Sequence, residues 1–401
     1  MKVIFLLNGL THYVIPVLNK LNSTEGLDIV CIAQSDEANN VGQGVFLTQK
    51  GIEFRVHFLK EKRRFYGKTF FKGTESVIRK EAPHVIVLGW PYILELVFNP
   101  LLLLKIKKRG IRIVFKEIPF QVQSFSDALR FKPTNFIDED LTIRKENFYE
   151  KIKNLFLAIL RRYYYAFVDI NVNYIEDSYE LLKSFGVKKE HIFVAYNSPA
   201  TDSLFKAKIN AEILGPILPN NKQRIIHVGR LVKWKRVDLL IHAVKDLQSK
   251  FPNIELIVIG DGPEMNQLKL TVESLELSHR IYFVGSIYDP VILGRYFLSS
   301  SIYILAGMGG LSINEAMLYG KPIICSVCDG TEKKIVRNGF NGFIFSAGDL
   351  MDLKEKISLL LSDDDKIKNY GNNSLSIIEK EVNVYTVIKG YIDAFNYLAT
   401  N

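Results

Sequence analysis

Short apolar runs of strand length alternate with amphipathic stretches along nearly the whole 401-residue chain, and they do so in two rounds. In the first half the runs are residues 3–7, 29–33, 54–57, 85–88, 111–115 and 170–172, with 191–195 following. Helical patterns at 13–21, 71–80 and 177–185 lie between several of them. The second half repeats the scheme at 224–228, 254–259, 281–284, 302–305 and 322–325, each followed by a helical pattern. Alternation of this kind predicts α/β architecture, in which helices cover both faces of a parallel sheet. A chain this long exceeds one ordinary core and suits two domains of about 200 residues.

Two segments of the second half carry chemistry. Ile225-Ile226-His227-Val228-Gly229-Arg230-Leu231-Val232-Lys233-Trp234-Lys235-Arg236-Val237 reads as a strand ending near Gly229, a turn holding Arg230 and Lys235, and a helix start. Two cations at the carboxyl end of a strand, beside a helix N-terminus, suit a diphosphate. About eighty residues later comes Gly309-Gly310-Leu311-Ser312-Ile313-Asn314-Glu315-Ala316-Met317. Its glycines let backbone amides of Gly310, Leu311 and Ser312 approach an anion, and Glu315 can accept hydrogen bonds from ribose hydroxyls. Lys233 and Arg236 could support the first site or simply face solvent.

At these residues the chain resembles the retaining glycosyltransferases of family 4 (glycosyl transferases group 1). The resemblance rests on Gly229 to Lys235, on Ile259-Gly260-Asp261-Gly262-Pro263, on Ile281-Tyr282-Phe283-Val284-Gly285 and on Glu315 through Pro322, in that order. Four matches over about 120 residues are specific where any one alone would be weak. The likeness is firm over residues 222–350 and only schematic before them. It implies the GT-B fold: two Rossmann-like domains whose parallel sheets face across a cleft. The expected acceptor-binding domain is 1–203, with a C-terminal helix in 383–401 packing back on it. A linker follows at 204–221, then a nucleotide-sugar domain at 222–382. The family carries a glutamate eight residues before Glu315, at the position of Gly307 here. In the family that glutamate touches the donor sugar; here the backbone of residues 307–310 is expected to take over the contact.

In the first half the resemblance points to an acceptor site. Gly9 suits the tight turn after the first strand, and His12 could reach the cleft or merely flank the first helix. Glu117, at the end of the strand 111–115, could touch a sugar or be a buried partner of Lys116. Glu332 matches a weaker family position and could be only structural. Residues 119–150 break the strand–helix rhythm and read as an insert, followed by a helix at 151–167 with Leu155, Phe156, Ile159 and Leu160 on its apolar side.

Three cysteines are too few for a disulfide framework and fit a reducing compartment. The Cys325…Cys328 spacing lacks a second ligand pair, so a buried strand end is expected rather than zinc. The family works without a metal. The Asp-x-Asp lookalikes Asp138-Glu139-Asp140 and Asp363-Asp364-Asp365 are read as loop residues. No signal peptide is evident, and no uncharged apolar run reaches the ~18 residues of a spanning helix. A cytoplasmic protein is therefore expected.

Net charge is +9, and residues 1–200 hold 29 basic against 21 acidic side chains, hence eight of those nine charges. Cations bunch with aromatics in 60–68 and 161–165, and alone in 105–109. Solvated helix faces and reversible contact with an anionic membrane leaflet are the two readings; nucleic acid has no recognisable module here. The expected activity is transfer of a sugar, with retention, from a nucleotide-sugar donor to a glycan acceptor that is lipid-linked. Two other readings stay open: a nucleotide-sugar 2-epimerase of the same fold, and a non-catalytic glycan-binding or partner subunit.

Overall fold

The computed structural model describes residues 1–34, 48–64, 67–118, 121–138, 140–326 and 330–400. Fifteen strands occur among them. In the first half these are β1 (Lys2–Leu6), β2 (Asp28–Gln34), β3 (Arg55–Leu59), β4 (Glu61–Arg63), β5 (Thr69–Phe71), β6 (Val85–Leu88), β7 (Arg112–Glu117), β8 (Ile170–Asn173) and β9 (Ile192–Val194). In the second half they are β10 (Arg224–Val228), β11 (Glu255–Ile259), β12 (Ile281–Gly285), β13 (Ile302–Leu305), β14 (Ile323–Ser326) and β15 (Gly342–Phe345).

The chain forms two compact units. The first comprises Met1–Thr134, Lys145–Pro199 and Val384–Asn401. Its parallel sheet runs β3-β2-β1-β6-β7-β8-β9, and β4 and β5 form a separate antiparallel hairpin. One sheet face packs on a core around Phe115, Tyr164 and Leu96. The other packs on Phe5 and Val114, and includes Val387, Tyr391, Ala394 and Phe395 from the helix Val384–Thr400.

The second unit comprises Asn135–Arg144 and Ala200–Asn383. Its parallel sheet runs β12-β11-β10-β13-β14-β15, the open doubly wound order. Stretches such as Leu256–Ile259 are apolar throughout because both their faces are covered. In such sheets ligand sites form beyond the carboxyl ends of the strands where the strand order reverses. That point lies between β1 and β6 in the first unit and between β10 and β13 in the second.

Several expected elements differ in the structure. Residues 201–214, mostly placed in a linker, form the helix Thr201–Leu214 of the second unit. The helix expected at 151–167 begins at Phe148, because Asn147 and Glu150 form a reciprocal capping box. Of its expected apolar side, Leu160 packs on the core, but Phe156 and Ile159 are exposed. The basic run 60–68, read as a helix face, instead spans the β4–β5 hairpin, with residues 65–66 outside the described set. Cys325 is buried near the end of β14 and Cys31 is a buried thiol in β2, while Cys328 lies outside the described residues.

Candidate functional site

In the second unit the two sequence motifs meet at the β10/β13 reversal. β10 ends at Val228, and Gly229 donates its amide to the Ile259 carbonyl at 3.0 Å while Leu231 donates to Asp261 at 2.9 Å. This stitches the turn after β10 to the turn after β11. Gly260 is required there: its φ is +142°, and a Cβ would lie 1.9 Å from the Gly229 carbonyl oxygen. A short 3-10 turn, Lys233–Lys235, then leads through Arg236 into the helix Val237–Leu247.

Lys235 is buried, and its Nζ donates to the carbonyls of Met308 at 2.5 Å and Gly309 at 2.6 Å. The Met308 amide returns a bond to the Trp234 carbonyl at 2.9 Å. The turn after β10 and the turn after β13 are thereby clasped. Gly307 explains how they come so close. A Cβ on it would stand 2.0 Å from the Trp234 carbonyl oxygen and 2.6 Å from Lys235 Cα. In this backbone the position leaves room for no side chain, glutamate included. Gly310 continues the turn, with the Lys235 ammonium 3.2 Å from where its Cβ would be.

Arg230 is partly buried, with its guanidinium 5.9 Å from the centre of the Trp234 ring. Of its basic neighbours, Lys233 is exposed and paired with Asp140 at 2.9 Å. Arg236 lies in the left-handed region at φ 49°, binds the Asp238 carboxylate at 3.0 Å, and donates to the Asp140 carbonyl at 2.8 Å. Arg236 is thus a structural cation holding the 135–144 segment.

Leu311 precedes the helix Ser312–Leu318, and the Ser312 hydroxyl shares a 2.7 Å hydrogen bond with the Tyr303 hydroxyl. Glu315 lies in the first turn of that helix, where burial pushes its pKa up to about 7. Beneath the clasp sits His227, a residue that motif reading passed over. It is fully buried, and its Nδ1 donates to the Ile304 carbonyl at 3.1 Å. The ring is therefore the Nδ1–H tautomer, and its Nε2 is a buried acceptor without a partner. Nε2 lies 3.4 Å from where a Gly229 Cβ would stand. Burial, with a smaller contribution from nearby Lys235, lowers the His227 pKa to about 4, so the ring is neutral at physiological pH. A polar residue inside an otherwise apolar strand was the only signal in the sequence.

In the first unit, a pocket of 260 Å³ opens at the β1/β6 reversal, lined by Asn8, Trp90, Tyr92, Lys116, Glu117 and Tyr174 among others. Glu117 is buried and fully engaged: it accepts from Arg161 Nη1 at 2.5 Å and from the Tyr165 hydroxyl. Its partner is Arg161, not Lys116. Adjacent residues of a strand face opposite ways, so Lys116 lies against Tyr174 and Tyr391 instead. His12 is exposed beside Tyr13, their ring centres 5.3 Å apart, and neither it nor Gly9 lines the pocket. Glu332 is buried and accepts from the Gly330 amide at 3.0 Å, a local helix-start bond. Asp138 accepts from the Thr142 hydroxyl at 2.7 Å, and Asp363 caps the helix Asp364–Lys380.

Comparison with known proteins falls into line with this geometry. Residues 212–376 match the family model described as glycosyl transferases group 1. An uncharacterized glycosyltransferase of Methanocaldococcus jannaschii is 32% identical over 184 residues, 44% of this chain and 46% of that protein. A capsular polysaccharide biosynthesis glycosyltransferase of Staphylococcus aureus is 28% identical over 169 residues, 41% of this chain and 43% of the relative. The matched region thus spans about half the length of these curated relatives. Among solved structures, Anabaena HepE in complex with UDP superimposes with a TM-score of 0.67 at 16% identity, covering 99% of this chain and 100% of that one. Residues 212–376 are thus similar to the glycosyl transferases group 1, in a chain whose fold is that of the GT-B glycosyltransferases.

Proposed function

We propose that the protein transfers a sugar from a nucleoside-diphosphate donor to a glycan acceptor in polysaccharide or glycoconjugate synthesis. The observation that carries this reading is the clasp at the β10/β13 reversal. There Lys235 is tied to the Met308 and Gly309 carbonyls, Arg230 precedes it in the same turn, and Glu315 lies in the helix that follows the glycines, which supports reading these residues as the site for the donor's diphosphate and ribose. As the glycosidic bond to the donor sugar breaks, negative charge grows on the leaving diphosphate. Two fixed cations in a partly buried setting stabilise that charge without reorganising. A metal ion has no necessary part in this step. The transfer proceeds with retention by a front-face route, in which the leaving phosphate assists the incoming hydroxyl, so no protein nucleophile is called for.

The acceptor is lipid-linked, and the protein works at an anionic membrane surface. Support comes from the helix Phe148–Phe167, where Phe148, Ile152, Phe156, Ile159 and Tyr163 are exposed at helical spacing. Lys151, Lys153 and Arg162 flank this stripe, the combination that binds acidic headgroups. No described helix is long and apolar enough to cross a membrane. The test is incubation with a panel of nucleotide sugars, with and without glycan acceptors, scoring nucleoside diphosphate release and anomeric configuration. Release with retention and undiminished by chelator supports the proposal. Epimerised donor, or no turnover of any donor, overturns it.

A further inference from the structure

The first-unit pocket holds a charge that the fold itself does not explain. Lys116 is the penultimate residue of β7, at the carboxyl end of the sheet, and its ammonium sits 5.2 Å from the centre of the Tyr174 ring and 5.7 Å from that of Tyr391. Ring faces attract a cation but do not neutralise it. The adjacent carboxylate is committed elsewhere, since Glu117 points to the opposite face and is bound by Arg161 and Tyr165. Among the described residues no carboxylate pairs with Lys116. Lys116 is part-buried, and although burial opposes its charge, the Tyr174 and Tyr391 phenols beside it favour the charged form and push its pKa up, so a positive charge persists in the pocket wall with no described carboxylate to neutralise it. The surroundings suit a saccharide: the Trp90 indole is partly exposed at the rim, Asn8 supplies an amide, and the Tyr92 hydroxyl is oriented by donating to Glu61 at 2.5 Å.

We infer that this pocket binds an acidic saccharide, with the Lys116 ammonium holding its phosphate or carboxylate group. The inference rests on the glycosyltransferase reading above and narrows its substrate class. An acidic sugar gains a charge-assisted hydrogen bond from the Lys116 ammonium that a neutral sugar cannot match, and selectivity for acidic sugars comes from that difference.

The experiment measures binding of methyl α-glucoside, its 6-phosphate and methyl α-glucuronide to the intact protein saturated with UDP, by calorimetry or ligand-observed NMR. UDP-glucose and UDP-glucuronate are compared as donors in parallel. Lys116→Met, which keeps length and volume, is compared with wild type throughout, with thermal stability recorded. At least a tenfold preference for the acidic glucosides in wild type, lost in Lys116→Met, supports the inference with the acceptor as source of the acidic group. The same Lys116-dependent preference for UDP-glucuronate supports it with the donor as source. Equal binding of acidic and neutral sugars, or a preference that survives Lys116→Met, overturns it. So does a variant that loses thermal stability while keeping its sugar preference, since Lys116 is then only a structural cation. UDP affinity, read in the same samples, separates this outcome from failure of the donor-site reading: if UDP does not bind, it is the glycosyltransferase proposal that falls.

Discussion

His227 and Glu315, beside the turns after β10 and β13, each imply a dependence on pH with a definite sign. His227 is held at a pKa of about 4 in the folded state against an ordinary value of 6.5. Between those values the unfolded chain binds the proton and the folded one does not, so stability falls as pH drops from 6.5 towards 4. The full effect is on the order of 3 kcal/mol. His227→Asn, which keeps a donor for the Ile304 carbonyl, is expected to show a flatter Tm-against-pH curve over that range; an unchanged slope would remove His227 from the account. Glu315, raised to about 7, keeps its proton in the folded state where a free glutamate has lost it. Its carboxylate, the form that accepts from ribose hydroxyls, becomes dominant only above neutrality. Nucleotide affinity is therefore expected to rise between pH 6 and 8 in wild type and to be flatter in Glu315→Gln. Equal slopes in titration calorimetry would place the ribose elsewhere. Gly307 offers a third check. Glutamate there restores the family pattern on paper, but its Cβ collides with the Trp234–Lys235 backbone. Gly307→Glu is expected to cost at least about 1–3 kcal/mol of stability by overpacking and to lower turnover. Higher turnover at unchanged Tm would show that the turn can open to admit the side chain.

Individual elements differ in how openly the sequence announces them. Five of the six strands of the second unit, β10 to β14, were legible because they are mostly apolar runs with helix patterns between them, whereas the short edge strand β15 was not among the expected runs. The helix Thr201–Leu214 was hidden because it buries Thr201, Ala207 and Ala211, small residues that draw no apolar stripe. The β4–β5 hairpin was hidden by its composition: strands of three residues rich in Lys and Arg do not alternate visibly. Burial of Glu117 against Arg161 is a contact between residues 44 apart, which spacing along the chain does not encode. At this scale the Phe148–Phe167 helix carries a prediction. The protein is expected to sediment with vesicles of acidic lipid and not with neutral ones, and raised salt is expected to release it. Phe156→Ser with Ile159→Ser is expected to weaken that binding several-fold while UDP affinity holds. Equal sedimentation with both vesicle types, or with neither, would make the stripe an ordinary exposed helix face.

Across the whole molecule, two units repeat one topology, and each has a candidate site where its strand order reverses. They differ in what their loops contribute. The second unit supplies cations and glycine-rich backbone, which suits a diphosphate; the first supplies aromatic side chains around the part-buried Lys116. The sequence resemblance was firm only over residues 222–350 of the second unit and schematic in the first. Acceptor-side loops vary with the acceptor, so general motif knowledge carries little information about them. The account stands or falls on the clasp after β10 and β13. Binding of UDP, GDP and ADP to wild type, Arg230→Ala and Lys235→Ala, measured by titration calorimetry, tests it most directly, with turnover of the corresponding sugar donors followed alongside. The expected result is saturable binding of one nucleotide, weakened by roughly two orders of magnitude in each variant, as loss of a charge-assisted contact of about 3 kcal/mol requires. Lys235→Ala is also expected to lose thermal stability, because the Met308 and Gly309 carbonyls lose their donor. Undiminished nucleotide affinity and turnover in both variants would contradict the account.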